Sequence, residues 1–263
     1  MDINALLAGI GDAAKQAGAI MRSADHIAES VEVKAGHANF VTRYDHQVQA
    51  YLSKALSDLL PEAQFIGEED GADAVTDEKR HGFAFCVDPI DGTTNFLTGY
   101  RPSVTSIALL RDGKPFLGVI YNPYDDLLFS AALGQGAFCN GKPIRSSEAP
   151  LSRSVALFGT APYNPEHMRR TFALCEHYLP RCIDLRRSGA AAWDLCLLAM
   201  GTAGLFFECR LGLWDYAAGA LIAQEAGCRV TDLDGKPLPY DAPSSCLVAS
   251  AGVAREDYFP KDV

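Results

Sequence analysis

Phe83-Ala84-Phe85-Cys86-Val87-Asp88-Pro89-Ile90-Asp91-Gly92-Thr93-Thr94-Asn95-Phe96 is the stretch on which the reading of this 263-residue chain turns. The apolar run 83–87 stops at Asp88, which predicts a strand buried on both faces and ending there. Asp88 then stands at the edge of a core, where an unpaired charge is costly. Asp91 follows three residues later, with Pro89 restricting the backbone between them. Two carboxylates held this close repel unless a proton or a cation intervenes. Oxygen-only donors point to Mg2+, which commonly uses one or two carboxylates, several waters and a substrate phosphate. The carbonyl of Ile90 offers a further oxygen. Gly92 lets backbone approach a ligand closely, and Gly92, Thr93 and Thr94 present N–H groups at a predicted helix N-terminus, a seat for an anion. Metal ligands joined directly to a phosphate cradle suit phosphoryl transfer to water.

Outward from this segment, apolar residues at helical spacing and the absence of proline predict a helix over 3–22, and a second over 45–60 with Asp45 as its N-cap. The runs 104–110, 116–121 and 127–132 read as strands, separated by the turn signals Asp112-Gly113-Lys114-Pro115 and Asn122-Pro123. Gly-Lys-Pro recurs at 113, 141 and 235, at irregular spacing, and marks turns, not a structural repeat. Further on, helices are predicted near 165–178, 190–200 and 215–226, with strands near 154–158, 205–209 and 245–250. The expected fold is a layered α/β (α+β) sandwich with a mostly antiparallel first sheet and a mixed second one. We expect one domain over 1–263, with halves of roughly 1–145 and 146–263.

Composition narrows the function. The chain is 48% hydrophobic and 21% charged, the balance of a globular protein. Its net charge of −10 disfavours nucleic acid as a partner. An acidic protein handles an anionic substrate when cations bridge the two, which again suggests a metal. No basic segment precedes an apolar stretch at the start, and the longest apolar run, 195–207, is short for a membrane span and contains two glycines. The eight cysteines form no C-x-x-C pair, and scattered thiols in apolar runs fit reduced, buried residues of a cytoplasmic protein.

A second acidic cluster, Gly67-Glu68-Glu69-Asp70, follows the strand-like Gln64-Phe65-Ile66. Alone, it reads as a solvated loop. Together, Phe65-Ile-Gly-Glu-Glu69, Asp88-Pro-Ile-Asp-Gly-Thr-Thr-Asn-Phe96 and Trp214-Asp215-Tyr-Ala-Ala-Gly219 resemble, in order and spacing, the signatures of the inositol monophosphatase family. Lys34, Val41-Thr42 and Asp45 extend the match over nearly the whole chain. The resemblance implies an αβαβα sandwich of the sugar-phosphatase type, a homodimer, sensitivity to Li+ and up to three Mg2+ ions. It implies that Glu68, Asp88, the Ile90 carbonyl, Asp91 and Asp215 bind the metals. Gly92 and Thr93 would hold phosphate, with Asp91 and Asp215 lining the substrate. Thr93, paired with Asp45, and Glu68 would act on the attacking water. Glu208 would bond substrate hydroxyls, and Arg187-Ser188-Gly189-Ala190-Ala191 would line the polyol site. Ala190 departs from the family's usual Ser or Thr, which removes a hydroxyl there.

The expected substrate is a small phosphate monoester, inositol monophosphate first. Fructose 1,6-bisphosphate, histidinol phosphate and 3′-phosphoadenosine 5′-phosphate are alternatives within the fold, and a non-catalytic binding or regulatory protein is an alternative of another class. A D-x-D-G-T aspartyl-phosphatase reading fails, because two residues separate Asp88 from Asp91. The chain has no G-K-S or G-K-T for a P-loop and no H-E-x-x-H for zinc.

Overall fold

A computed structural model describes residues 2–35, 39–71, 76, 81–161 and 164–259. Helix α1 (Ile3–Arg22) leads into a hairpin of β1 (Val31–Ala35) and β2 (Asn39–Thr42), then helix α2 (Arg43–Leu59). A seven-stranded sheet follows in sequential order: β3 (Gln64–Gly67), β4 (Phe83–Asp91), β5 (Val104–Arg111), β6 (Lys114–Asn122), β7 (Leu127–Ala132), β8 (Ala137–Cys139) and β9 (Lys142–Ile144). The β3–β4 pair is parallel and the other ladders antiparallel. The short helix α3 (Thr93–Thr98) leaves the end of β4.

The second sheet contains β10 (Val155–Phe158), β11 (Asp184–Arg186), β12 (Leu205–Leu211), β13 (Arg229–Thr231) and β14 (Ser244–Ala249), in the order β11-β10-β12-β14-β13. It is mixed: β10 runs parallel to both β11 and β12, and β14 runs antiparallel to β12 and β13. Helices α4 (Pro165–Tyr178), α5 (Ala191–Ala199), α6 (Leu213–Glu225) and α7 (Arg255–Tyr258) complete the chain.

Alternation along the strands sets the layers. Phe85 and Val87 of β4 pack with Leu6, Ile10, Val48 and Leu52 of α1 and α2. Ala84 and Cys86 point the other way, into a core shared with Leu195 of α5 and Leu221 of α6. Phe206 of β12 enters that same core from the far side, whereas Leu205 and Phe207 face Leu174 and Tyr178 of α4. The order is therefore αβαβα, with α5 and α6 between two sheets. A helix so placed is apolar around most of its circumference, and α6 buries nine of its thirteen residues. Gly118 lets α6 lie directly on β6: a Cβ there would come 2.8 Å from the carbonyl oxygen of Ala218.

The turns predicted at Asp112-Gly113 and Asn140-Gly141 join β5 to β6 and β8 to β9. Positive φ at both residues of each pair matches the right-handed twist of the flanking strands. Three expectations are corrected. Strand β4 does not end at Asp88 but continues to Asp91 through a bulge, because Asp88 pairs with Ser106 and Asp91 with Val104, one residue more on β4 than on β5. Helix α2 begins two residues early, with Thr42 as N-cap and Asp45 at the third helical position. Helix α6 begins at Leu213, so Asp215 closes its first turn from inside. All eight cysteines are free. Among the described residues, no helix is long and apolar enough to cross a membrane.

Candidate active site

The bulged end of β4, the turn after β3 and the first turn of α6 bring three acidic segments together. Asp88 and Asp91 are 2% and 7% exposed. Asp88 accepts the backbone N–H of Ile90 at 3.0 Å and shares hydrogen bonds with the carboxyls of Glu68 and Asp215. Asp215 also accepts the N–H of Gly212 at 2.6 Å. Burial, then the charges of Glu68, Asp91 and Asp215, push Asp88 far above the usual carboxylate range. Burial, then Glu68 and Asp91, do the same to Asp215. Asp91 rises to about 7 through burial, opposed by the N–H groups of Ala192 and Ala191 at the start of α5, 2.7 and 3.2 Å from its oxygens.

Buried carboxylates that hydrogen-bond to one another need a proton or a cation to hold them together. Among the described residues no three His, Cys, Asp or Glu donors close into a metal cage. A hard cation that takes a few protein oxygens and fills its remaining positions with water and phosphate suits this donor set, and Mg2+ is such a cation.

Beside the acids, Gly92 precedes α3 with φ +87°, a conformation favourable only to glycine. A Cβ on Gly92 would come 3.1 Å from Cβ of Ala190 and 3.2 Å from the carbonyl oxygen of Pro102. Ala190 thus packs against the glycine of the anion loop. Asn95 braces the same contact, donating to the carbonyls of Pro102 and Ser188 at 2.7 and 2.8 Å. The Thr93 hydroxyl lies 3.2 Å from Asp45 and 3.2 Å from the Ile90 carbonyl. Asp45 is fully buried and also accepts the N–H and hydroxyl of Thr42, at 2.7 and 2.6 Å.

The acids open into a cavity of about 140 Å3, lined at its far end by Gly159, Thr160, Arg187, Asp194, Glu208 and Arg210. Thr160 follows β10, Arg187 follows β11, and Glu208 and Arg210 lie at the middle and near the end of β12. Ligands commonly bind beyond the carboxyl ends of parallel strands. Glu208 lies on the backbone of Gly159, where a Cβ would sit 1.8 Å from its Oε2. It makes no hydrogen bond among the described residues. Burial first, then Asp215, Asp194 and Asp91, raise Glu208 well above its ordinary range, against Arg187. Asp194 is 1% exposed, and its Oδ1 has no hydrogen-bond partner among the described residues. Burial holds its carboxyl at about 8, with Ser188 and Arg187 pulling it down. The Arg187 Nε donates to the Thr160 hydroxyl at 3.1 Å.

The family model of the inositol monophosphatase family matches residues 3–261. The chain belongs to the inositol monophosphatase family. Members of this family are phosphoric monoester hydrolases. The chain is 39% identical to inositol monophosphatase 2 of Solanum lycopersicum over 239 residues, 88% of each chain. It is 34% identical to Nus factor SuhB of Vibrio cholerae over 82% of this chain and 83% of that one. The solved structure of the extragenic suppressor protein suhB from Bartonella henselae aligns with a TM-score of 0.84 at 33% identity, covering 94% of this chain and 95% of that chain.

In this member of the family, the structure gathers Glu68, Asp88, Ile90, Asp91 and Asp215 at one mouth, with Thr93 and Asp45 beside them. Gly189, Ala190, Ala191 and Glu208 line the cavity, as does Arg187. Ser188 instead locks its own loop, bonding Ala190 at both N–H and carbonyl. Lys34 lies on β1, and its side chain is outside the described residues. The sequence reading missed Gly159, Thr160, Asp194 and Arg210. Arg210 had a signal: at i+2 from Glu208 it shares a strand face. Asp194, buried in the first turns of an apolar helix, was a second one. Gly159 and Thr160 had none, since only strand pairing carries them to Glu208.

Proposed function

We propose that this family member is a Mg2+-dependent phosphatase of a small, neutral polyol or sugar monophosphate, with inositol monophosphate as its first candidate. The observation that carries this reading is Glu208, a buried carboxylate that makes no hydrogen bond among the described residues, set against Gly159 beyond the acid cluster and the anion loop. A hydroxyl group of the leaving alcohol supplies the donor it lacks. Two carboxylates, Asp194 and Glu208, and two guanidiniums, Arg187 and Arg210, line that end. When cations at the acid cluster hold both carboxyls ionised, these formal charges cancel, which favours an uncharged, hydroxyl-rich group over a second phosphate facing Glu208.

In this reading Glu68, Asp88, the Ile90 carbonyl, Asp91 and Asp215 hold up to three Mg2+. Bound Mg2+ supplies Lewis-acid activation of water and charge neutralisation on phosphate. The N–H groups of Gly92 and Thr93 orient the phosphate. Thr93 donates its hydroxyl hydrogen to Asp45, leaving its oxygen to accept a hydrogen bond from the attacking water. Glu68 faces the same water and receives its proton as the water oxygen bonds to phosphorus; the ester P–O bond breaks and the departing alcohol oxygen takes a proton from solvent. A single folded unit, a homodimer and a cytoplasmic location belong to the same reading. A regulatory role is the second reading, favoured by the similarity to a protein named Nus factor. The retained acid set argues for turnover.

Phosphate release from inositol 1-phosphate, glycerol 2-phosphate, fructose 1,6-bisphosphate, histidinol phosphate and 3′-phosphoadenosine 5′-phosphate, each with Mg2+ and with EDTA, tests it. Metal-dependent release highest on inositol 1-phosphate is expected. A folded protein that releases none would overturn the enzyme reading in favour of the regulatory one.

A further inference from the structure

Glu68 is carried on a turn, not on a regular element, so something outside the turn must hold it. The turn is the single 3-10 loop Glu68–Asp70 at the end of β3. Within it, the Asp70 carboxylate accepts the N–H of Gly67 at 3.3 Å, and Gly71 N–H bonds the Glu68 carbonyl at 3.0 Å. From outside, Gln49 of α2 reaches across. Its Oε1 accepts the N–H of Glu69 at 3.0 Å, and its Nε2 donates to Asp70 at 3.1 Å. Gln49 is 9% exposed, so these bonds form largely out of water. The fit is reciprocal: a Cβ on Gly67 would come 2.3 Å from the Gln49 Oε1. Gly67 is therefore the residue that lets the amide lie flat on the turn.

Gln49 lies four residues after Asp45 on α2, and residues at i and i+4 share a helix face. Asp45 accepts from Thr93, and Gln49 holds the peptide that follows Glu68. One turn of one helix thereby spans the two groups assigned to the water. We propose that Gln49 is a positioning residue for the hydrolytic step, fixing Glu68 relative to the Asp45–Thr93 pair. The role needs an amide. A carboxylate at this position loses the donor to Asp70 and adds a negative charge beside Glu68. A thioether of similar length keeps the packing and makes neither bond. The inference rests on the assignment of Glu68 above, and its test separates the two.

The experiment is a double-substitution cycle with Gln49→Met and Glu68→Gln, assayed on inositol 1-phosphate and phenyl phosphate, with Mg2+ binding followed by calorimetry and folding by urea titration. Loss of a group that orients a ligand-bearing carboxylate costs 10- to 100-fold in metal affinity or activity. Gln49→Met is expected to lower kcat about tenfold on both substrates with KM nearly unchanged, and to weaken Mg2+ binding by a similar factor. In the Glu68→Gln background it should add almost nothing, because no carboxylate remains to be placed. Leu52→Ala, a core change on the same helix, controls for destabilisation and should leave kcat intact in the folded protein. Additive losses in the cycle, or a Gln49→Met protein with parental kcat and Mg2+ affinity, would overturn the proposal. A fully active Glu68→Gln protein would instead overturn the role given to Glu68.

Discussion

Glu208 and Gly159 show how much of this site depends on what a residue lacks. The carboxylate occupies space that any Cβ at Gly159 would claim, at 1.8 Å from Oε2. Gly159→Ala must therefore displace Glu208 from the cavity wall. A hydrogen bond to a charged group contributes about 1.5–3 kcal/mol, so its loss corresponds to roughly 10- to 100-fold in kcat/KM. That loss should fall on inositol 1-phosphate and spare phenyl phosphate, which has no hydroxyl to bind. Equal losses on both esters would show that Gly159 supports the fold and not the polyol contact.

At the scale of elements, the first turns of helices organise the chemistry. Asp91 takes two N–H groups of α5, Asp215 closes the first turn of α6, and Asp45 closes that of α2. Helix N-termini favour carboxylates, so each acid is oriented by the element it helps to start. Thr42 illustrates the coupling. Its hydroxyl accepts the Tyr44 N–H at 3.2 Å and donates to Asp45 at 2.6 Å. Thr42→Ala should cost about 1 kcal/mol through the lost cap, visible in urea unfolding. It should also reduce kcat several-fold, because Asp45 loses one of the bonds that aim it at Thr93. Thr42→Ser, which keeps both bonds, should restore kcat, and failure to do so would detach the cap from catalysis.

For the molecule as a whole, the site is a local cost to stability. Asp194 is buried with Ser188 and Arg187 beside it and the charges of Asp91 and Glu208 nearby. Unfolded, it ionises near pH 4; folded, at about 8. Below the lower value both states are protonated. Between the two values the unfolded chain binds fewer protons, so stability falls as pH rises and levels off once the folded carboxyl ionises. Asp194→Asn lacks this loss. In EDTA, its stability relative to the parent should increase from pH 5 to pH 8 in urea titrations. A difference that stays constant with pH would mean that Asp194 ionises as readily folded as unfolded.

By itself the sequence determined the strands and helices whose period is strong, such as 3–22 and 127–132, and the turns at Asp112-Gly113 and Asn140-Gly141. These depend on side-chain alternation and local φ, which neighbouring residues dictate. It also identified Asp88 and Asp91 of the acid cluster, because Asp88-Pro-Ile-Asp-Gly-Thr joins two carboxylates to a glycine turn within one segment. The tertiary structure alone decided where β4 ends, since its bulge is defined by pairing with Ser106 and Val104. The structure alone placed Gly159 beneath Glu208, Gln49 upon Gly67 and Asp194 in the cavity wall. The Gln49–Gly67 and Gly159–Glu208 contacts join residues 18 and 49 positions apart through strand order and helix packing. No periodicity along the chain encodes which strand lies beside which.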